Sequence, residues 1–277
     1  MYRLCYGRIQ RLGLALRDMY IAIDKLVDAD PQYRAVVGLC ERVYPETAVL
    51  FTIGNALVSY RLVLRGEDYW SIFTKELVKT INNVPFHGFF KDFLSRYNRV
   101  GLNGKLSRIM RFSRSKIFRM LMKSPTGYCG LLKELNKELA LAVNSDEKAK
   151  TVVFATKMYY YICRAYGADL SIDYLLPMPV DTRNAELSLK IGVITGCHGG
   201  IRKCVQDLIS RKHRGLVIEA WNMVSLISGV PVLLIDTFTW LLSGVIRRCD
   251  SDERCLYEWL ANEVSYPRLR HIVDVLL

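Results

Sequence analysis

Histidine is scarce, at four in 277 residues, and the four (His87, His198, His213 and His271) form no chelating pair. Cys197-His198 sits in a glycine-bounded loop, but with no second pair to complete a tetrahedral site no metal is expected. The eight cysteines include no compact run of four, so an iron–sulfur cluster is not expected either. Buried free thiols are the leading expectation for them, with one or two disulfides if the source is a hyperthermophile. Glycine and proline are sparse, at 18 and 8 residues, and no solenoid period is visible. Long apolar runs are missing too. The uncharged stretch 220–235 contains Asn222, two serines and Gly229-Val-Pro231, and is shorter than the roughly 20 residues a spanning helix needs. Arg3, Arg8, Arg11 and Arg17 interrupt the first segment, with no cleavage site behind an apolar core. A soluble cytoplasmic protein with no membrane partner is expected.

What is present is a chain long enough for a substantial core, 51% hydrophobic, with a net charge of +12 and a pI near 9.3. That balance fits a polyanionic partner, since each phosphate neutralised by Lys or Arg releases counterions, and fits a basic solvated surface about as well. The charge is concentrated. Arg99, Lys105, Arg108, Arg111, Arg114, Lys116, Arg119 and Lys123 occur with no acidic residue among them, interleaved with Leu106, Ile109, Met110, Phe112, Ile117 and Leu121. One or two amphipathic basic helices are expected there, facing phosphates in preference to solvent or a membrane surface.

Periodicity predicts helices throughout. Residues 1–28 carry a broad apolar face, weakened by Gly7 and Gly13. Asp30-Pro31 marks a helix start with Gln32 in its first turn, 47–64 reads as a buried helix, and Glu67-Asp-Tyr-Trp70 opens another. A helix over 131–143 leads into the hairpin Ala142-Val-Asn-Ser-Asp-Glu-Lys-Ala, which has no glycine and leaves Asn144 to adopt the left-handed conformation. Further helices are expected near 182–194, 199–212, 214–228 and from 232, with two more in the tail and Arg268 and Arg270 exposed on them.

Chemistry concentrates in two segments. Ser145 and Asp146 suit the start of a helix through 165, which puts Lys150 about one turn inside it, with Phe154 on the same face. Unpaired N–H groups and the positive helix end disfavour an ammonium there, the direction that lowers a lysine pKa. A solvated charge is the alternative. In Leu176-Pro-Met-Pro-Val-Asp181, two prolines stiffen the approach to a helix that Asp181 can cap. Downstream, Asp236 lies in a strongly apolar segment where a carboxylate needs a partner, with Trp240 one turn on.

Lys-Thr-Val-Val-Phe (150–154), Pro-Met-Pro-Val-Asp (177–181), Asn55-Ala-Leu-Val-Ser-Tyr-Arg61 and the Asp236/Trp240 pair together resemble the archaeal 8-oxoguanine DNA glycosylases, a branch of the helix-hairpin-helix glycosylase superfamily. The resemblance covers most of the chain. It implies an all-α fold of two helical lobes flanking a DNA-binding cleft, approximately an inserted lobe 47–149 and a second lobe of 1–46 plus 150–277. It implies a monomeric base-excision enzyme with associated β-elimination lyase activity, acting without cofactor on DNA containing oxidised guanine. Lys150 is then the nucleophile and Asp181 its assistant. Gln32, Ser59, Trp70, Phe154, Asp236 and Trp240 contact the base, with Phe154 and Trp240 as the two stacking faces. A hairpin without glycine departs from the superfamily and puts its direct phosphate contact in doubt. Removal of a different lesion, or a purely DNA-binding role for the basic surface, are the alternatives.

Overall fold

A computed structural model of the chain describes residues 1–80, 84–168, 176–249, 252–259 and 262. The helices are α1 (Tyr6–Arg17), α2 (Tyr20–Leu26), α3 (Pro31–Cys40), α4 (Pro45–Leu57), α5 (Gly66–Thr80), α6 (Phe86–Tyr97), α7 (Leu102–Arg114) and α8 (Lys116–Lys123). They continue with α9 (Leu132–Ala142), α10 (Lys150–Ala165), α11 (Thr182–Lys190), α12 (Ile201–Leu208), α13 (Arg214–Ser228), α14 (Val232–Cys249) and α15 (Glu253–Trp259). Two short strands, β1 (Arg3–Leu4) and β2 (Ile194–Thr195), pair antiparallel. The all-α expectation is met. Among the described residues no single helix is long and apolar enough to cross a membrane.

The chain divides into two units, Pro31–Ile172 and Met1–Asp30 with Asp173–Leu277. These bounds differ from the lobe bounds expected from sequence. Residues 31–46 and 150–172 go with the middle unit because α10 packs along α4 and α3. At the centre of that unit α4 is buried from Ala48 to Leu57, so it shows almost no polar face. Phe51, Phe73, Phe86, Phe89, Phe90 and Phe93 from α4, α5 and α6 interlock around it, mostly edge to face. A Cβ on Gly54 would lie 2.9 Å from Phe90, which is why a glycine occupies a buried helix interior here. Where one helix over 47–64 was expected, α4 stops at Leu57 and Arg61 turns left-handed at φ +49°.

In the other unit the expected single helix over 1–28 is strand β1 followed by α1 and α2, broken at Asp18–Met19. α1 packs on α13 so closely that a Cβ on Gly13 would meet Ile227 at 2.6 Å. Gly13, a weak point in helical periodicity, is what permits the crossing. The helices expected at 182–194 and 199–212 are shorter, ending at Lys190 and Leu208. Of the two tail helices, α15 is described, while Arg268 and Arg270 lie outside the described residues.

The expectation of mainly free thiols is overturned. Cys129–Cys163, Cys197–Cys204 and Cys249–Cys255 are disulfides, and only Cys5 and Cys40 are free. The bond between 197 and 204 uses the thiol that a zinc site would have needed. Among the described residues no group of His, Cys, Asp or Glu could hold a metal.

Candidate active site

The hairpin is built by α9, its loop and α10. α9 ends with Asn144 at φ +50°, Asn144 N–H donating to Leu141 O (3.1 Å) and Ser145 N–H to Ala140 O (2.9 Å). This is a two-bond helix termination in which asparagine takes the left-handed position glycine normally holds. Asp146 caps the loop, its Oδ1 accepting from Lys148 N–H at 2.7 Å. The expected helix start at Ser145 or Asp146 is therefore four or three residues early: α10 begins at Lys150 itself, behind Ala149, with no side-chain cap and no acid in its first turn. Asn136 of α9 pins the arrangement. Its Nδ2 donates to Glu147 O (3.0 Å) in the loop, and its Oδ1 accepts from Thr156 (3.0 Å) on α10.

Lys150 is thus a half-buried residue at the first position of a 16-residue helix. Phe154, one turn on, is half-buried, and its ring meets Trp70 edge to face with centroids 6.0 Å apart. Trp70 on α5 is only 1% exposed. Gln32 is the second residue of α3, buried, with its amide nitrogen beside Gly66 at the start of α5. Ser59 is buried just past α4, its hydroxyl donating to Asn55 O at 2.9 Å. Asn55 in turn accepts from Tyr69 Oη at 2.6 Å, and burial holds the Tyr69 phenol well above its ordinary pKa. Of the neighbouring lysines, Lys148 is exposed, whereas Lys157 is buried against the Tyr161 ring.

Asp181, Asp236 and Trp240 belong to the other unit. Asp181 caps α11 as expected, its Oδ1 accepting from Arg183 N–H (2.9 Å) and Asn184 N–H (3.1 Å). Asp236, 5% exposed, accepts from Asn184 Nδ2 at 2.8 Å. Asn184 gives a second N–H to Pro179 O (2.9 Å) and accepts from Thr239 (3.1 Å). One buried residue therefore links the two acids, Asn184 giving its backbone N–H to Asp181 and its side-chain amide to Asp236. The Arg183 guanidinium carbon lies 4.5 Å from the Trp240 ring centroid and covers one face of the half-buried indole. Sequence reasoning passed over Asn184 and Arg183. The only sequence signal was a side-chain amide three residues after a capping aspartate.

Chemically, the middle unit offers a helix-start lysine, the Trp70–Phe154 ring pair and a buried amide, and the other offers two carboxylates and an indole. The model of a family described as N-glycosylase/DNA lyase matches residues 14–272. Among curated relatives, the N-glycosylase/DNA lyase of Pyrobaculum aerophilum is 28% identical over 251 residues, covering 87% of this chain and 88% of its own. That of Aeropyrum pernix is 25% identical over 260 residues, covering 91% and 88%. That of Nanoarchaeum equitans is 29% identical over 211 residues, covering 76% and 81%. Among solved structures, the 8-oxoguanine DNA glycosylase of Pyrobaculum aerophilum, complexed with 8-oxoguanosine, superposes with a TM-score of 0.72 over 98% of this chain and 96% of that one, at 21% identity.

Proposed function

The chain belongs to the AGOG family of N-glycosylase/DNA lyases, and from that premise we propose that it excises 8-oxoguanine from DNA through a Schiff base on Lys150, with Asp181 assisting. The observation that carries the reading is Lys150 at the uncapped first position of α10, one turn from Phe154. A lysine there stands at the positive end of a helix, on the face that carries Phe154. The resemblance of the solved 8-oxoguanine glycosylase supports the choice of lesion.

A base inside a duplex is out of reach, so the damaged nucleotide is flipped out, at a cost of a few kcal/mol. Phe154 and Trp240 stack on its two faces, while Gln32, Ser59, Trp70 and Asp236 read its edge. Oxidation at C8 turns N7 from an acceptor into a donor. A positioned acceptor then gains a hydrogen bond that guanine cannot supply, and an unpaired buried group costs roughly 1–3 kcal/mol, up to about a hundredfold in preference. The Lys150 amine attacks C1′ and the C1′–N9 bond breaks, the base leaving with its electron pair and taking up a proton. The adduct nitrogen loses one proton to Asp181; its lone pair then forms the C1′=N bond as C1′–O4′ breaks, and O4′ takes up a proton, leaving a protonated imine. Loss of a C2′ proton then expels the 3′-phosphate and cleaves the strand. The Asp181 carboxylate stabilises the oxocarbenium-like charge on the way. The enzyme acts in this reading as a cytoplasmic monomer on DNA, without cofactor.

Borohydride should trap wild-type protein covalently on an 8-oxoguanine duplex, and Lys150→Gln should abolish both the trapped complex and base release. Trapping by the Lys150→Gln variant would remove Lys150 from the mechanism. A panel of single-lesion duplexes with faster release of another base would remove 8-oxoguanine as the substrate.

A further inference from the structure

Lys105 and Arg108 are three residues apart on α7 and share a face. Lys105 is 0% exposed; its ammonium donates to Asn98 O at 3.1 Å and to Asn98 Oδ1, and lies 4.9 Å from the centroid of the Tyr60 ring. Nε and Nη2 of Arg108 are buried with no hydrogen-bond partner. Arg61 follows Tyr60, is exposed, and is near enough for its charge to oppose that of Lys105; Arg111 acts likewise on Arg108. None of these four cations is ion-paired to an acid among the described residues. Burial, with the Arg61 charge second, pulls Lys105 down to about 8, and burial chiefly lowers Arg108.

Withdrawing like charges from water without a counter-charge is unfavourable, so the cluster is incomplete as it stands. Its surroundings add to the same sign. α7 opens at Gly101, φ +73°, with no side-chain cap and no acid in its first turn, so the positive end of the helix is left uncompensated. The cluster is open to solvent at Arg61 and at exposed Gly104, whose position for a Cβ is 3.7 Å from Tyr60 Oη. Behind that edge, the unused Nε and Nη2 groups of Arg108 form a guanidinium fork, a geometry suited to a doubly oxygenated anion.

We propose that Arg61, Lys105 and Arg108 form the seat of one backbone phosphodiester of the DNA strand. The site rests on the reading of the chain as an enzyme acting on DNA, and it positions the strand without reading sequence.

The test is the salt dependence of affinity for undamaged and for 8-oxoguanine duplex, measured by fluorescence anisotropy for wild type, Arg108→Met and Arg61→Asn. Asparagine is chosen because it tolerates the left-handed backbone at that position. Each variant should lower the slope of log K against log salt by about 0.9, the value for a single phosphate that is no longer neutralised. Affinity should fall by the same factor on both duplexes. Without DNA, Arg108→Met should melt at or above the wild-type temperature, because the group removed has no partner for two of its nitrogens. Unchanged slopes in folded variants would overturn the site. So would a loss confined to the lesion duplex, or a variant that melts well below wild type, which would make Arg108 a structural residue. Failure of the wild type itself to bind any duplex would instead remove the underlying reading, and this site with it.

Discussion

Replacing Asn184 by alanine tests the proposed division between base reading at Asp236 and sugar chemistry at Asp181. The side chain is 2% exposed and makes three hydrogen bonds, to Asp236, Pro179 O and Thr239. The bond to the carboxylate is worth about 1.5–3 kcal/mol and each neutral one about 1 kcal/mol, so the loss sums to roughly 4 kcal/mol. In a protein of this size that lowers Tm by about 10 °C. The cap on α11 survives, because Asp181 accepts from the backbone N–H of Asn184 and not from its side chain. Asp236 loses a donor that fixes its orientation, while Asp181 keeps its own. The variant should therefore release 8-oxoguanine at least tenfold more slowly in single-turnover assays below its melting range. Strand cleavage at a preformed abasic site, where no base remains to be read, should stay within a few-fold of wild type. Equal loss on the two substrates would refute the division of labour between Asp236 and Asp181.

Trp240→Ala should reduce the preference for lesion over undamaged duplex by roughly 5- to 150-fold, the worth of one base–aromatic stack; equal loss on both duplexes in binding titrations would make Trp240 ordinary core. Reduction of Cys129–Cys163, which closes a loop of 34 residues, should lower stability by about 4 kcal/mol on the chain-entropy account, read as the shift in denaturant midpoint between Cys163→Ser and wild type. Lys105 titrates near 8 in the folded protein, below the roughly 10.4 of an unfolded lysine. The unfolded state thus binds more protons between those values, and this contribution to stability rises with pH from about 8 upward. Lys105→Met should flatten that rise in urea titrations at pH 7.5–9.5, and an identical pH profile in the variant would refute it.

The helices were legible wherever one face is apolar, as in the two basic helices α7 and α8 within 99–123. They were misread where tertiary contact overrides periodicity. At Gly13 the missing side chain serves a neighbouring helix, and past Leu57 an apolar run continues in irregular backbone. Asp181 could be placed as a helix cap from its segment, because caps and prolines are local signals, whereas the start of α10 was set too early and the roles given to Lys150, Phe154 and Trp240 rested on the family resemblance. Asn184 could not, because its partners lie on a helix some fifty residues away. The unpartnered guanidinium of Arg108 was equally hidden, since a basic run does not tell which of its members is buried. Disulfide pairing escaped for a related reason. Spacing suggested neighbours for Cys197 and Cys249, but nothing local joins Cys129 to Cys163.

The unit assembled from Met1–Asp30 and Asp173–Leu277 has a consequence for synthesis on the ribosome. α1 needs α13 to cover its apolar face, and β1 needs β2, so the first thirty residues emerge without the partners they will fold against. At about 5–20 residues per second, the ~180 residues that separate that segment from α13 keep it waiting for roughly 9 to 36 s. The middle unit is continuous in sequence and can close while the ribosome is still translating. The nascent segment of α1 and α2, with Leu12, Leu16 and Ile23 uncovered until then, is the stretch on which a chaperone is expected to act during translation.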